Sequence, residues 1–118
     1  MRNANPVVRP LPMRLRLEAA MVLRQYNKAH CRADRLRQQK HELDRRGRAI
    51  LQQWVDLKAQ KAPAVELDAL LSQSRIIAEQ RCTLIQQLIE AECALVAAFE
   101  RAQVVLRKLG FGRETYAG

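Results

Sequence analysis

From Met13 to Lys61 an apolar residue recurs at every seventh position: Leu15, Val22, Ala29, Leu36, Leu43, Ile50 and Leu57. A companion row runs Ala19, Tyr26, Ala33, Lys40, Gly47 and Trp54. Two such rows are the seam of a helix that supercoils against a partner. The pattern repeats from Val65 to Leu109. One row is Leu70, Ile77, Leu84, Ala91, Ala98 and Val105, and its companion is Leu67, Ser74, Arg81, Leu88, Leu95, Ala102 and Leu109. A third row beside them also leans apolar: Leu71, Ala78, Ile85, Glu92, Phe99 and Leu106. The second helix therefore has a wider apolar face than a two-stranded seam requires. Leu71, Ile85 and Phe99 are expected to form an exposed stripe there.

Only Gly47 and Pro63 interrupt the chain between Met13 and Leu109. A lone glycine costs a helix about 1 kcal/mol and can be carried. Proline cannot sit inside a helix, because it lacks the N–H and its ring strikes the preceding turn. The spacing predicts helix one over 13–61, a hinge at 62–64 and helix two over 65–109, with Gly110 placed as a helix stop. Residues 1–12 and 110–118 read as flexible ends. A short link between long helices makes them antiparallel neighbours. The fold class expected is all-α, a long antiparallel two-helix coiled-coil hairpin.

Folding at Pro63 places residues whose numbers sum to about 126 at one level. Trp54 then lies by Leu71 or Ser74, Ala29 by Ala98, and Lys40 by Ile85 and Leu88. Gly47 lies by Arg81, its missing side chain making room for a bulky one. Lys40 and Arg81 are expected to reach for the rim. Each arm would be about 65–75 Å long. So thin a rod buries little per residue and gains from a partner.

Charge divides the arms. Met13 to Lys61 holds thirteen basic against five acidic residues, a net +8, and Val65 to Leu109 holds five against six, a net −1. The whole chain carries +9. Such a balance admits nucleic acid, acidic lipid or an acidic protein surface as partner. The basic residues wrap around helix one, and the cluster from Arg32 to Arg48 lacks the Asn and aromatic residues that read bases. A solvated basic face is the commoner outcome of such a run.

Candidate chemistry is sparse. Cys31, Cys82 and Cys93 make no C-x-x-C pair, fall at outward heptad positions and suit a reducing compartment. His30 and His41 lack the i, i+4 spacing of a helical metal pair. There is no phosphate-binding glycine loop and no G-x-S-x-G elbow. A two-helix rod offers no water-excluded pocket. The expectation is a protein with no enzymatic activity, catalytic residue, metal or cofactor. No run approaches the roughly 18–20 apolar residues of a membrane span, and the start shows no secretory signal. A cytoplasmic protein without membrane insertion is expected.

Two segments carry a family resemblance: the Arg/Gln-rich stretch RADRLRQQKHELDRR in helix one, and AAFERAQVVLRKLGF at the end of helix two. With the hairpin between them, roughly Leu15 to Leu109, the chain resembles the central-stalk proteins of type III secretion systems. These are the YscO/HrpO group, similar to flagellar FliJ. The resemblance implies a stalk or adaptor that enters the pore of a hexameric secretion ATPase. It also implies contact with the export gate or with escort chaperones, and a place peripheral to a membrane-embedded secretion complex. The end bearing both chain termini would engage the ATPase. Here that end carries Arg14, Arg16, Arg24, Arg101, Val104, Leu106, Arg107 and Lys108. The chain differs from the family in the near-neutral charge of its second arm. Two other readings stand beside it. One is a basic nucleic-acid-binding protein, self-associated as a dimeric bundle. The other is a secretion chaperone or protein-binding coiled coil, holding a partner helix on Leu71, Ile85, Phe99 and Leu106.

Overall fold

The structure, a computed structural model, describes residues 12–110. Two helices account for 93% of them: α1, Met13–Ala59, and α2, Ala64–Lys108. They lie antiparallel along their whole length in a rod 73 Å long, with no strand among the described residues. The expected flexible ends, apart from Pro12 and Gly110, lie outside the described residues.

The seam follows the heptad rows. Val22, Ala33 and Leu36 of α1 are buried against Ile77, Leu84, Ala91, Ala98, Ala102 and Val105 of α2. Four of these nine are alanines, so the backbones can approach closely. No large side chain is fully buried. The core forms two clusters. Ala33, Leu36, Leu84 and Ala91 hold the middle, with Leu43, Leu88 and Leu95 packed on them. Val22, Ala102 and Val105 hold the end near the termini, with Ala19 and Leu109.

The register is the expected one. Asp44 meets Arg81, Tyr26 meets Phe99 and Glu18 meets Lys108, each pair summing to within one of 126. Lys40 does reach the rim, where its Nζ donates to Asp44 Oδ2 at 3.0 Å. Gly47 differs from expectation. A Cβ there would meet Ile77 Cγ2 at 3.6 Å, so the residue facing it is a seam isoleucine. Arg81 instead leans outward to Asp44, its exposed guanidinium better served by a carboxylate and water than by a narrow gap.

The closing turn also departs from the sequence reading. Helix α1 ends at Ala59, two residues early, because Lys61 adopts a left-handed backbone with φ 60°. Two bonds close the end: Lys61 N–H donates to Lys58 O at 3.1 Å and Ala62 N–H to Leu57 O at 3.0 Å. This paired closure satisfies two orphan carbonyls and normally has glycine at the left-handed position. Pro63 then sits as the N-terminal cap of α2, accepting from Glu66 N–H at 3.1 Å. Its missing N–H costs nothing there. Helix α2 ends at Lys108, one residue early, with Gly110 left-handed at φ 85° and its N–H donating to Arg107 O.

Candidate partner-binding surfaces

The rod has a closed tip, at the turn, and an open tip, where α1 begins and α2 ends. At the open tip a groove of about 370 Å³ runs between the helices, lined by Glu18, Met21, Gln25, Arg101 and Val104 above the buried Val22 and Val105. Helix α1 contributes Met13, Leu17 and Met21, spaced four apart and 65%, 64% and 52% exposed. Such large apolar side chains, presented in a row, are the informative kind of exposure.

The charge around this groove is poorly matched. The first turn of α1 has no acidic residue, and Arg14 lies in it. A cation there opposes the positive end of the helix dipole, whereas Arg107 and Lys108 in the last turn of α2 suit its negative end. Lys108 Nζ reaches Glu18 Oε1 at 3.6 Å. Arg14, Arg16, Arg24, Arg101 and Arg107 form no ion pair among the described residues. The structure thus brings Arg101 and Val104 to one groove, and Lys108 reaches it through Glu18. Arg24 lies on an outward row, and Leu106 is half-buried on the opposite flank.

The two long flanks of the rod differ. On one, Arg35, Gln38, Gln39 and Arg46 of α1 face Gln80, Thr83 and Gln87 of α2 across an open groove of about 620 Å³. Its polar rim is made of long side chains that water solvates well. The other flank holds the expected stripe. Leu71 is 38% exposed and Phe99 47%, while Ile85 is half-buried. Phe99 leans on Tyr26, their rings 6.0 Å apart. The sequence reading overlooked the next row of α2, where Ile89 and Val96 are each 56% exposed. Their spacing of seven was the available signal. With Glu92 and Cys93 they line a shallow groove of about 450 Å³.

This second apolar row bears on one expectation. An 18-residue stretch of α2 averages 1.4 in hydropathy and is 17% buried, so by length and composition α2 is apolar enough to cross a membrane. The sequence expectation concerned uninterrupted apolar runs, whereas this stretch qualifies by its average. Hydropathy averages over all faces, and here both the seam and one flank are apolar. Two glutamates, Glu90 and Glu92, interrupt the apolar residues between Leu88 and Leu95.

Local ion pairs shape the rest of the surface. Arg37 bonds Asp34 at 2.8 Å and reaches across to Glu92 at 3.4 Å, and His30 Nδ1 lies 3.2 Å from Asp34. Hydrogen bonds from Lys40, and secondarily from Arg81, hold the Asp44 carboxyl below its ordinary value. Arg45 does the same for Glu42, and Glu42 in turn raises Arg45. Cys31, Cys82 and Cys93 are free and exposed. At the closed tip Lys58 lies over the Trp54 ring at 4.7 Å, and the buried Trp54 Nε1 has no partner. No group of three or more His, Cys, Asp and Glu side chains converges among the described residues. Comparison with protein-family models, curated proteins and solved structures finds no match.

Proposed function

We propose that this protein is a non-enzymatic helical-hairpin stalk or adaptor that binds an acidic, partly apolar protein surface through its open tip. The observation that carries the reading is the tip itself. Arg14 and Arg16, with no ion pair among the described residues, stand at the wrong end of a helix dipole, beside the exposed row Met13, Leu17 and Met21. An anionic partner relieves the first and a greasy one covers the second. A single partner surface can do both, with the charge guiding encounter and the apolar row supplying affinity.

The type III secretion central stalks resembled by this chain give that partner a concrete form: a hexameric secretion ATPase, with export-gate proteins or chaperones as further contacts. Rod length, a single turn and a basic first arm suit a stalk seated in a ring. The test is co-purification with such an ATPase and measurement of its turnover at low salt. Wild-type protein is expected to bind and to alter turnover. Arg14→Glu with Arg16→Glu is expected to weaken binding at least tenfold without loss of helicity. No binding of the wild type at low salt would sink the reading. A mobility shift with DNA or RNA that falls steeply with salt would favour a nucleic-acid partner instead.

A further inference from the structure

The apolar flank of α2 lies about 100° around the helix from the seam, by the heptad positions of its rows. Helix α1 covers only its near edge, where Tyr26 meets Phe99 and Arg37 reaches Glu92. We propose that a second copy of this chain covers it, antiparallel, about a two-fold axis level with Glu92 on α2 and Asp34 on α1, giving a four-helix dimer. The proposal goes beyond the open-tip reading and rests on the opposite flank of α2, with Met13 and Leu17 common to both surfaces.

Three observations point to a second copy. The first is that the flank is complementary to itself. Reversal about Glu92 maps Ile85 onto Phe99 and Ala78 onto Leu106, and brings Ile89 within one residue of the level of Val96. Ile89 then faces Val96, Ile85 faces Phe99 and, farther out, small Ala78 faces large Leu106. Apolar meets apolar at each of these levels, as a two-fold interface demands.

The second observation lies on the other helix. Apart from Leu23, the exposed apolar residues on this side of α1 gather toward its ends, and its middle is charged. The axis that centres α2 on Glu92 sets Met13 opposite Val55 in one row, and brings Leu17 to the level of Leu51 in the neighbouring row. These four are 65%, 52%, 64% and 50% exposed. One axis, chosen from α2 alone, thus finds partners for apolar residues at both ends of α1.

The third is charge. Glu92 is the one charged residue in the row between Ala78 and Leu106, and Arg37 of the same copy already reaches it at 3.4 Å. Asp34, at the same level, is held by Arg37 and His30. Each copy therefore brings its central acids with cations attached. An anionic lipid surface would instead meet Glu92 and Glu100 on this face.

The α2 contact from Ala78 to Leu106 is about 42 Å long and 10 Å wide, near 400 Å² per copy. A standard interface takes about 800 Å² per partner. Even with the ends of α1 added, the dimer belongs among the weaker specific associations, with a dissociation constant in the micromolar range.

Sedimentation equilibrium of the full chain, from micromolar to near-millimolar concentration, tests this. A monomer–dimer equilibrium is expected. Ile89→Glu with Val96→Glu, at sites already half exposed, should raise the dissociation constant at least tenfold while circular dichroism keeps its helical signal. The cysteines report the register. With Cys31 and Cys82 replaced by Ser, a short bismaleimide should join two Cys93 thiols, which lie within two residues of the axis. With Cys82 as the sole cysteine it should not, because the two copies would lie about 30 Å apart along the axis. A monomer at all concentrations overturns the proposal, as does a dimer untouched by the double variant or one linked through Cys82. A monomer that binds phosphatidylserine vesicles through Ile89 and Val96 overturns it in favour of a lipid surface. Arg14→Glu alone, in the row of Met21 and Arg35 that lines the opposite flank, should dimerise as the wild type does, so failure here and failure at the open tip are told apart.

Discussion

Lys61 occupies a left-handed position that glycine fills without strain. A side chain there costs about 1 kcal/mol. Lys61→Gly is therefore expected to stabilise the hairpin by about 0.5–1 kcal/mol, read as a rise in the urea midpoint at unchanged slope. The two glycines among the described residues, Gly47 and Gly110, should respond in opposite senses. At Gly47 an added methyl meets Ile77 at ordinary contact distance and removes a helix-interior glycine, so Gly47→Ala should gain about 1 kcal/mol. At Gly110 the space is open but φ is +85°, so Gly110→Ala should lose about that much. Asp44 adds a pH signature. Its folded value lies below the ordinary 3.8, so its contribution is complete above that pH and is lost as pH falls through the lowered value. Asp44→Asn should flatten the thermal-stability profile below about pH 4.

At the scale of the helix, the seam needs small residues as much as large ones. Ala33, Ala91 and Ala98 are buried to 2% exposure or less, and they set the distance between backbones. Ala91→Leu should destabilise by about 1–3 kcal/mol through overpacking. Leu84→Ala should cost about 2 kcal/mol, the low end for a core leucine, because the thin rod can relax around the gap. Thermal unfolding by circular dichroism checks both. Much of this level was legible in the sequence. The heptad rows named the seam, and Pro63 fixed the register to which Asp44–Arg81 and Glu18–Lys108 conform. The exact stop of α1 was not legible, because a left-handed lysine has no compositional mark. The row of Ile89 and Val96 was visible in the spacing, but it mattered only once the structure showed that it stays exposed among the described residues. The cationic residues of the open tip could be named from the sequence. That Lys108 is taken up by Glu18 while Arg14 has no ion pair among the described residues depended on which side chains meet in space.

For the whole molecule, the turn from Gln60 to Pro63 gives a rod with two unlike ends. It also sets an order of assembly. Contacts beside the turn join residues close in sequence, whereas Glu18 and Lys108 meet across almost the whole described chain. Loop closure costs more as the loop grows, so the hairpin should zip from the turn outward. Its free end forms last and frays first. Hydrogen exchange should show this as a gradient, slow around Leu57 and Leu67 and fast from Met13 to Met21 and from Val104 to Lys108. Uniform protection along both helices would contradict it. A ligand gripping the frayed end would hold the zipper shut, so occupancy at Arg14 and Arg101 would be felt as slower exchange far up the rod. The one tight turn thereby makes the hairpin a one-way device, in which order spreads from the turn and is locked from the opposite end.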